Sequence, residues 1–156
     1  MAHPLTLVLE LKPGLTITQI RELITSLQPA IDKGLEKVGT VHFARFTVFD
    51  ASSPNLLPTD TSTGPFKLAV ITSYDGDFPP YIQAFANNIA DVFDAVLPVC
   101  IGGESLVPVT QHVEAFTEFL AVNDATQHPP NSTFTMYSAY PQTVQHIRAA
   151  FPSGGK

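Results

Sequence analysis

His42 and Arg45 stand three positions apart inside the apolar run 41–50, and Asp75 ends a second such run at 66–75. An imidazole exchanges a proton near neutral pH, a guanidinium holds a carboxylate, and a carboxylate can orient either. These three are the candidate catalytic residues. In an extended strand, however, residues an odd number of positions apart project from opposite faces, so spacing alone does not make His42 and Arg45 one cluster. Arg45 shares its face with Phe43 and Thr47, and a cation buried there needs a charged partner. Glu10 is a candidate for that role, which would make Arg45 a structural ion pair or a subunit contact in place of a ligand anchor. His42 could equally fill core space with one ring hydrogen bond.

Tyr74-Asp75-Gly76-Asp77 reads as a strand-to-helix turn, where functional side chains commonly collect. Asp75 and Asp77 are too few to make a metal site, and Asp77 is more economically a helix cap. Phe43, Tyr74, Tyr137 and Tyr140 are the candidate ligand-contacting aromatics, with Phe134 and Met136 beside them, although aromatic residues on strands also simply pack. Cys100 has no histidine tied to it by spacing and reads as a core thiol. His112 and Glu114 do not make a zinc motif, because Phe116 stands where the second histidine would be. No metal site, resident cofactor, phosphate loop or serine elbow is expected.

The elements that must position these groups follow from periodicity. Leu5, Leu7, Leu9 and Leu11 alternate with mixed residues and predict a strand. Thr16 and Gln19 form a capping-box pattern ahead of Ile17, Ile20, Ile24, Leu27, Ile31 and Leu35, an apolar stripe at helical spacing. Pro29 predicts a kink or break in that helix. Strands are predicted over 41–50 and 66–74, joined by a polar loop, and a helix with Phe78, Ile82, Phe85, Ile89, Val92, Phe93 and Val96 on its buried side follows Asp77. A shorter helix capped by Thr110 is an insertion before a last strand over 132–140, and a short terminal helix spans 143–151.

Strand, helix, two strands, helix, inserted helix, strand is the ferredoxin-like order. The fold class expected is α+β: a single domain over 1–156, with a four-stranded antiparallel sheet, helices on one face and an extra helix before the last strand. The other sheet face is then semi-apolar, carrying Phe43 and Phe49, and needs a cover. Charged residues make up only 14% of the chain and apolar residues 44%, so a homodimer with sheets packed face to face is expected.

The segments 41–46, 72–78 and 137–141 resemble uncharacterised bacterial proteins of the dimeric α/β-barrel superfamily. That resemblance implies a ferredoxin-like protomer and a barrel built from two sheets. The superfamily includes cofactor-free monooxygenases, EthD-like proteins, chlorite dismutases and dye-decolourising peroxidases, and a shared scaffold does not carry activity with it. Asp75 and Gly76 align with the end of the distal peroxidase motif, but Thr72 stands where that motif has glycine. A haem protein would also need an axial ligand, for which His112 and His146 are candidates without a supporting motif.

Eight basic against fourteen acidic side chains leave a net charge of −6, which speaks against nucleic acid. A single cysteine excludes an internal disulfide framework. No apolar run is long enough to span a bilayer and the first residues lack a charged leader, so a cytoplasmic location is expected. The functional expectation is a small-molecule-binding protein for an apolar or aromatic ligand, with cofactor-free oxidoreductase or monooxygenase-like chemistry as one form of it. The alternatives are a non-catalytic homodimeric accessory protein and, more distantly, a haem-binding peroxidase-like protein.

Overall fold

The computed structural model describes residues 2–151. Strand β1, Ala2–Glu10, buries Leu5, Leu7 and Leu9 completely or nearly so, as the alternation requires. Helix α1 covers Ile17–Val38, and its capping box is formed: Gln19 N–H donates to Thr16 Oγ1 while Gln19 Oε1 accepts from Thr16 N–H. It runs through Pro29 without a break and ends at Gly39, whose φ of 70° supplies the left-handed cap. Gly34 is buried where α1 crosses the chain at Asn88 and Ile89, and a Cβ there would overlap Ile89 Cγ2.

Strands β2, Val41–Asp50, and β3, Phe66–Asp75, pair antiparallel, and β3 pairs antiparallel with β1. The sheet order is β1-β3-β2. Helices α2, Phe78–Asn88, and α3, Ala90–Val96, are separated by Ile89, whose backbone leaves the helical region. Phe85, Val92, Phe93 and Val96 face the buried side as their spacing predicts. Helix α4, Val113–Asn123, starts after His112 and not at Thr110, and α5 covers Val144–Ala150. The core lies between α1 to α4 and the sheet face bearing Leu5, Leu7, Leu68 and Val70.

The expected fourth strand is absent. Residues 134–140 contain no strand, and among the described residues the sheet is three-stranded and open. A ferredoxin-like sheet would place that strand against the outer edge of β1, and the edge is already occupied. Lys12 N–H donates to Val99 O at 2.9 Å, Ile101 N–H to Glu10 O at 2.8 Å, and Thr6 N–H to Asp124 Oδ1 at 3.0 Å. Single bridges join Leu11 to Cys100 and Leu7 to Asp124. With those backbone groups satisfied, a further ladder has little to gain. The ferredoxin-like four-stranded sheet, the closed dimeric α/β barrel and the family resemblance that implied it are therefore corrected to an open three-stranded α+β fold. The sheet face away from the helices carries Phe43, Arg45 and Ile71, and Phe43 is 79% exposed. No helix among the described residues is long and apolar enough to cross a membrane.

Candidate functional site

At the Ala2 end of β1 the chain lines an open cavity of about 670 Å³. Its floor is His3, Pro4 and Thr6 with Tyr74 from β3, and its walls are the 3-10 turns Ala125–Gln127 and Asn131–Thr133 with the extended segment at Phe134, Thr135 and Met136. The volume is that of a small-molecule site. Among the described residues no lysine, arginine, aspartate or glutamate lines it. The lining consists of hydroxyls, amides, one imidazole, Tyr74, Phe134, Met136 and small residues.

Tyr74 is the fixed aromatic wall. Its ring stacks on Tyr81 with centroids 3.7 Å apart and planes 6° from parallel, and Tyr81 leans on Phe85. Tyr81 hydroxyl is hydrogen-bonded to Thr72 Oγ1 at 2.8 Å, and burial pushes its pKa up. Tyr74 is only 3% exposed, yet its hydroxyl has no hydrogen-bond partner among the described residues. Burial first, and then the negative charges of Asp124 and Asp77, hold this phenol above its ordinary pKa, so at neutral pH it offers a proton.

Asp124 holds the opposite wall. This wholly buried side chain accepts from Thr6 N–H and Thr126 N–H, each at 3.0 Å, from Thr126 Oγ1 at 2.7 Å, and from Gln127 Nε2 at 3.2 Å. It thus ties the edge of β1 to the turn that presents Thr126 and Gln127. The expected site residues did not include Asp124 or the lining residues His3, Thr6, Thr126, Gln127, Asn131 and Ser132. The available signal was a polar loop cluster, 123–133, too mixed to distinguish from an ordinary connection.

His42 and Asp75 meet, with Nε2 and Oδ1 3.0 Å apart. The pairing arises from a register shift between Val41 and Phe43, which breaks the alternation of β2 at His42. The second Asp75 oxygen accepts from Val144 N–H at 2.7 Å, anchoring α5. Burial acts to raise the Asp75 pKa, but the Val144 and His42 hydrogen bonds prevail and hold it below 3.8. Neither His42 nor Asp75 lines the cavity.

Arg45 is exposed on the open sheet face opposite Ile71, and it forms no ion pair among the described residues. Glu10, its suggested partner, pairs with Lys67 at 3.3 Å instead. Of the candidate ligand contacts, Tyr74 lines the cavity, whereas Phe43, Tyr137 and Tyr140 are exposed outside it. Phe134 and Met136 do line it. Asp77 precedes α2 without a side-chain cap bond. Cys100 is fully buried, donates to Val96 O, and has its thiol pushed up to about 12 by burial, against the lowering effect of Lys12. That is the setting of an inert core thiol. His112 is exposed just before α4 and His146 is exposed on α5, and no three metal-ligating side chains cluster among the described residues.

No protein-family model matches the chain, and no curated protein or solved structure is significantly similar to it.

Proposed function

We propose that the chain binds a small, uncharged aromatic molecule bearing hydroxyl or carbonyl groups in the cavity beside Tyr74. The observation that carries this reading is the Tyr74 ring: nearly buried, stacked in place by Tyr81, with no hydrogen-bond partner for its hydroxyl among the described residues, beside an open volume of about 670 Å³. A ring slotted against Phe134 and Met136 gains apolar burial, and a carbonyl or hydroxyl reaching the phenol takes the place of water at that hydroxyl. Among the described residues the lining has no lysine or arginine to hold a carboxylate, which favours phenols and quinones over fatty acids. The reading is of binding and not of catalysis, because His42, Arg45 and Asp75 lie outside the lining.

The test is a thermal-shift screen across phenols, quinones and fatty acids, repeated on Tyr74→Phe. A phenol or quinone should raise the melting temperature, and loss of the hydroxyl should weaken its binding by about tenfold. No stabilisation by any phenol or quinone overturns the reading.

A second reading, non-catalytic self-association as a homodimer, is favoured by the uncovered apolar sheet face around Phe43 and Ile71. It assigns nucleic acid no part, in keeping with a net charge of −6.

A further inference from the structure

We infer that two copies of the chain join through β2, edge to edge and antiparallel, into one continuous six-stranded open sheet. This inference rests on the homodimer reading and is independent of the cavity.

Strand β2 is the unprotected edge. It is ten residues long, it pairs only with β3 among the described residues, and its far side has no neighbouring strand. Edge strands usually avoid association by being short or by carrying lysine or proline. Residues 43–49 contain neither, and their single charge is Arg45. The opposite edge of the sheet, on β1, is closed by Val99, Ile101 and Asp124.

Beside the open edge, between α1 and the sheet, runs a groove of about 280 Å³ whose apolar part includes Ile20, Ile24, Phe46 and Val48, with Arg21, Thr25 and Thr47 also in its lining. An added strand would present its helix-side residues there. The occupant that fits is β2 of a second copy, because the strand is complementary to itself. If the open faces of both copies lie on one side, the two-fold axis must pass through a residue position, which leaves three central registers. An axis at Arg45 sets two guanidiniums opposite each other. An axis at Thr47 sets Arg45 against Phe49 of the second copy and leaves Phe43 beyond the partner strand's end. An axis at Phe46 sets Phe43 against the second copy's Phe49, Arg45 against its Thr47, and Ala44 against its Val48. Only this register forms aromatic cross-strand pairs, two between Phe43 and Phe49 and one between the two copies of Phe46, and it opposes no like charges. It also shields the most exposed aromatic on the strand, Phe43.

The experiment is sedimentation equilibrium of the full chain and three variants. The wild type should be a dimer at micromolar concentration. Phe43→Lys alters an exposed side chain, so the protomer should keep its circular dichroism spectrum while dimerisation weakens by about tenfold or more. The double variant Phe43→Lys/Phe49→Glu places opposite charges across both paired positions and should restore the dimer. The reversed pair, Phe43→Glu/Phe49→Lys, sets a second cation opposite Lys67 of the same protomer and should rescue the dimer less completely. A wild type that stays monomeric overturns both this inference and the homodimer reading. A dimer that ignores Phe43→Lys, or that neither folded double variant rescues, overturns the edge-to-edge arrangement and leaves the homodimer reading standing.

Discussion

Asp75 joins the start of β2 to the last helix: one carboxyl oxygen lies 3.0 Å from His42 Nε2, and the other accepts the Val144 N–H at 2.7 Å. Helix α5 is further held to the C-terminal end of α1, where Gln145 donates to Gly39 O and Arg148 to Glu36 O. Both of those side-chain contacts are exposed, which leaves the Asp75–Val144 bond as the protected anchor. The wall segment 134–136 lies between this anchor and the turn held by Asp124, so the cavity depends on carboxyl groups at two separate places.

Asp75→Asn should therefore cost about 1–3 kcal/mol at neutral pH, because an amide cannot replace a carboxylate accepting on both oxygens. The folded-state pKa of Asp75 is held below its ordinary 3.8, so its contribution is fully present above that value and is lost as the pH falls through the folded pKa. Urea unfolding at pH 7 and at a series of acid values should show the gap between wild type and variant closing only below about pH 4. A gap that closes between pH 5 and 7 would contradict the assignment.

Cys100 should resist thiol reagents in the native protein. Its sulfur is fully buried and its pKa is pushed up to about 12, so the thiolate that reacts is scarce and covered. At pH 8 Ellman's reagent should give less than about 5% of the colour obtained in guanidinium, a limit set by local opening. Rapid native labelling would show that the bridge between Leu11 and Cys100 is not formed.

Arg45→Ala should leave stability within about 0.5 kcal/mol of wild type, since the side chain is exposed and makes no ion pair among the described residues. Glu10→Ala should be equally mild, because its bond to Lys67 is a surface pair. A double-mutant cycle between Arg45 and Glu10 should return no coupling. A coupling above about 1 kcal/mol would restore the internal salt bridge that the strand pattern alone suggests.

What local pattern could and could not reveal differs from element to element. The leucines of β1 and the Thr16–Gln19 box of α1 announce their elements because the relevant partners lie within a few residues. Residues 134–140 carry an equally persuasive strand alternation, yet they remain unpaired. The edge they were expected to join is taken by Asp124 and Val99, and the Thr6–Asp124 bond spans 118 positions. Alternation reports which face a strand would bury and says nothing about whether an edge is free. The His42–Asp75 pair was hidden for a related reason, since one extra residue in the ladder at Val41–Phe43 resets the parity on which the face assignment depended. Tyr74 was recognisable as an aromatic beside a turn, but its unpartnered hydroxyl and the neutral walls around it exist only once three distant segments converge.

Gly34→Ala tests the close crossing of α1 and the α2–α3 junction. In an exposed helix alanine would be favoured over glycine by about 1 kcal/mol. Here its methyl would overlap Ile89 Cγ2 and sit 3.1 Å from Asn88 O, and the backbone oxygen has less freedom to move than the side chain. The substitution should be net destabilising by about 1–3 kcal/mol. Adding Ile89→Ala, which by itself opens a cavity, should make the pair less destabilised than the sum of the single changes. Simple additivity in urea unfolding would mean that the two helices do not meet at this glycine.

Asp124→Ala should have the largest effect of those considered. The change leaves Thr6 N–H without its acceptor at a half-buried strand edge, and it frees the Thr126 hydroxyl and the Gln127 amide. Leaving several such donors unpaired should cost about 2–4 kcal/mol. The loss is also directional: the turn bearing Thr126 and Gln127 is released while the Tyr74–Tyr81 stack, on the far side of the cavity, stays intact. Hydrogen exchange should then accelerate at Thr6, Thr126 and Gln127 but not at Tyr81 or Phe85. A phenol or quinone that stabilises the wild type should lose affinity for a variant that still folds. Uniform acceleration across all five positions would mean that Asp124 supports the whole fold and not the cavity wall.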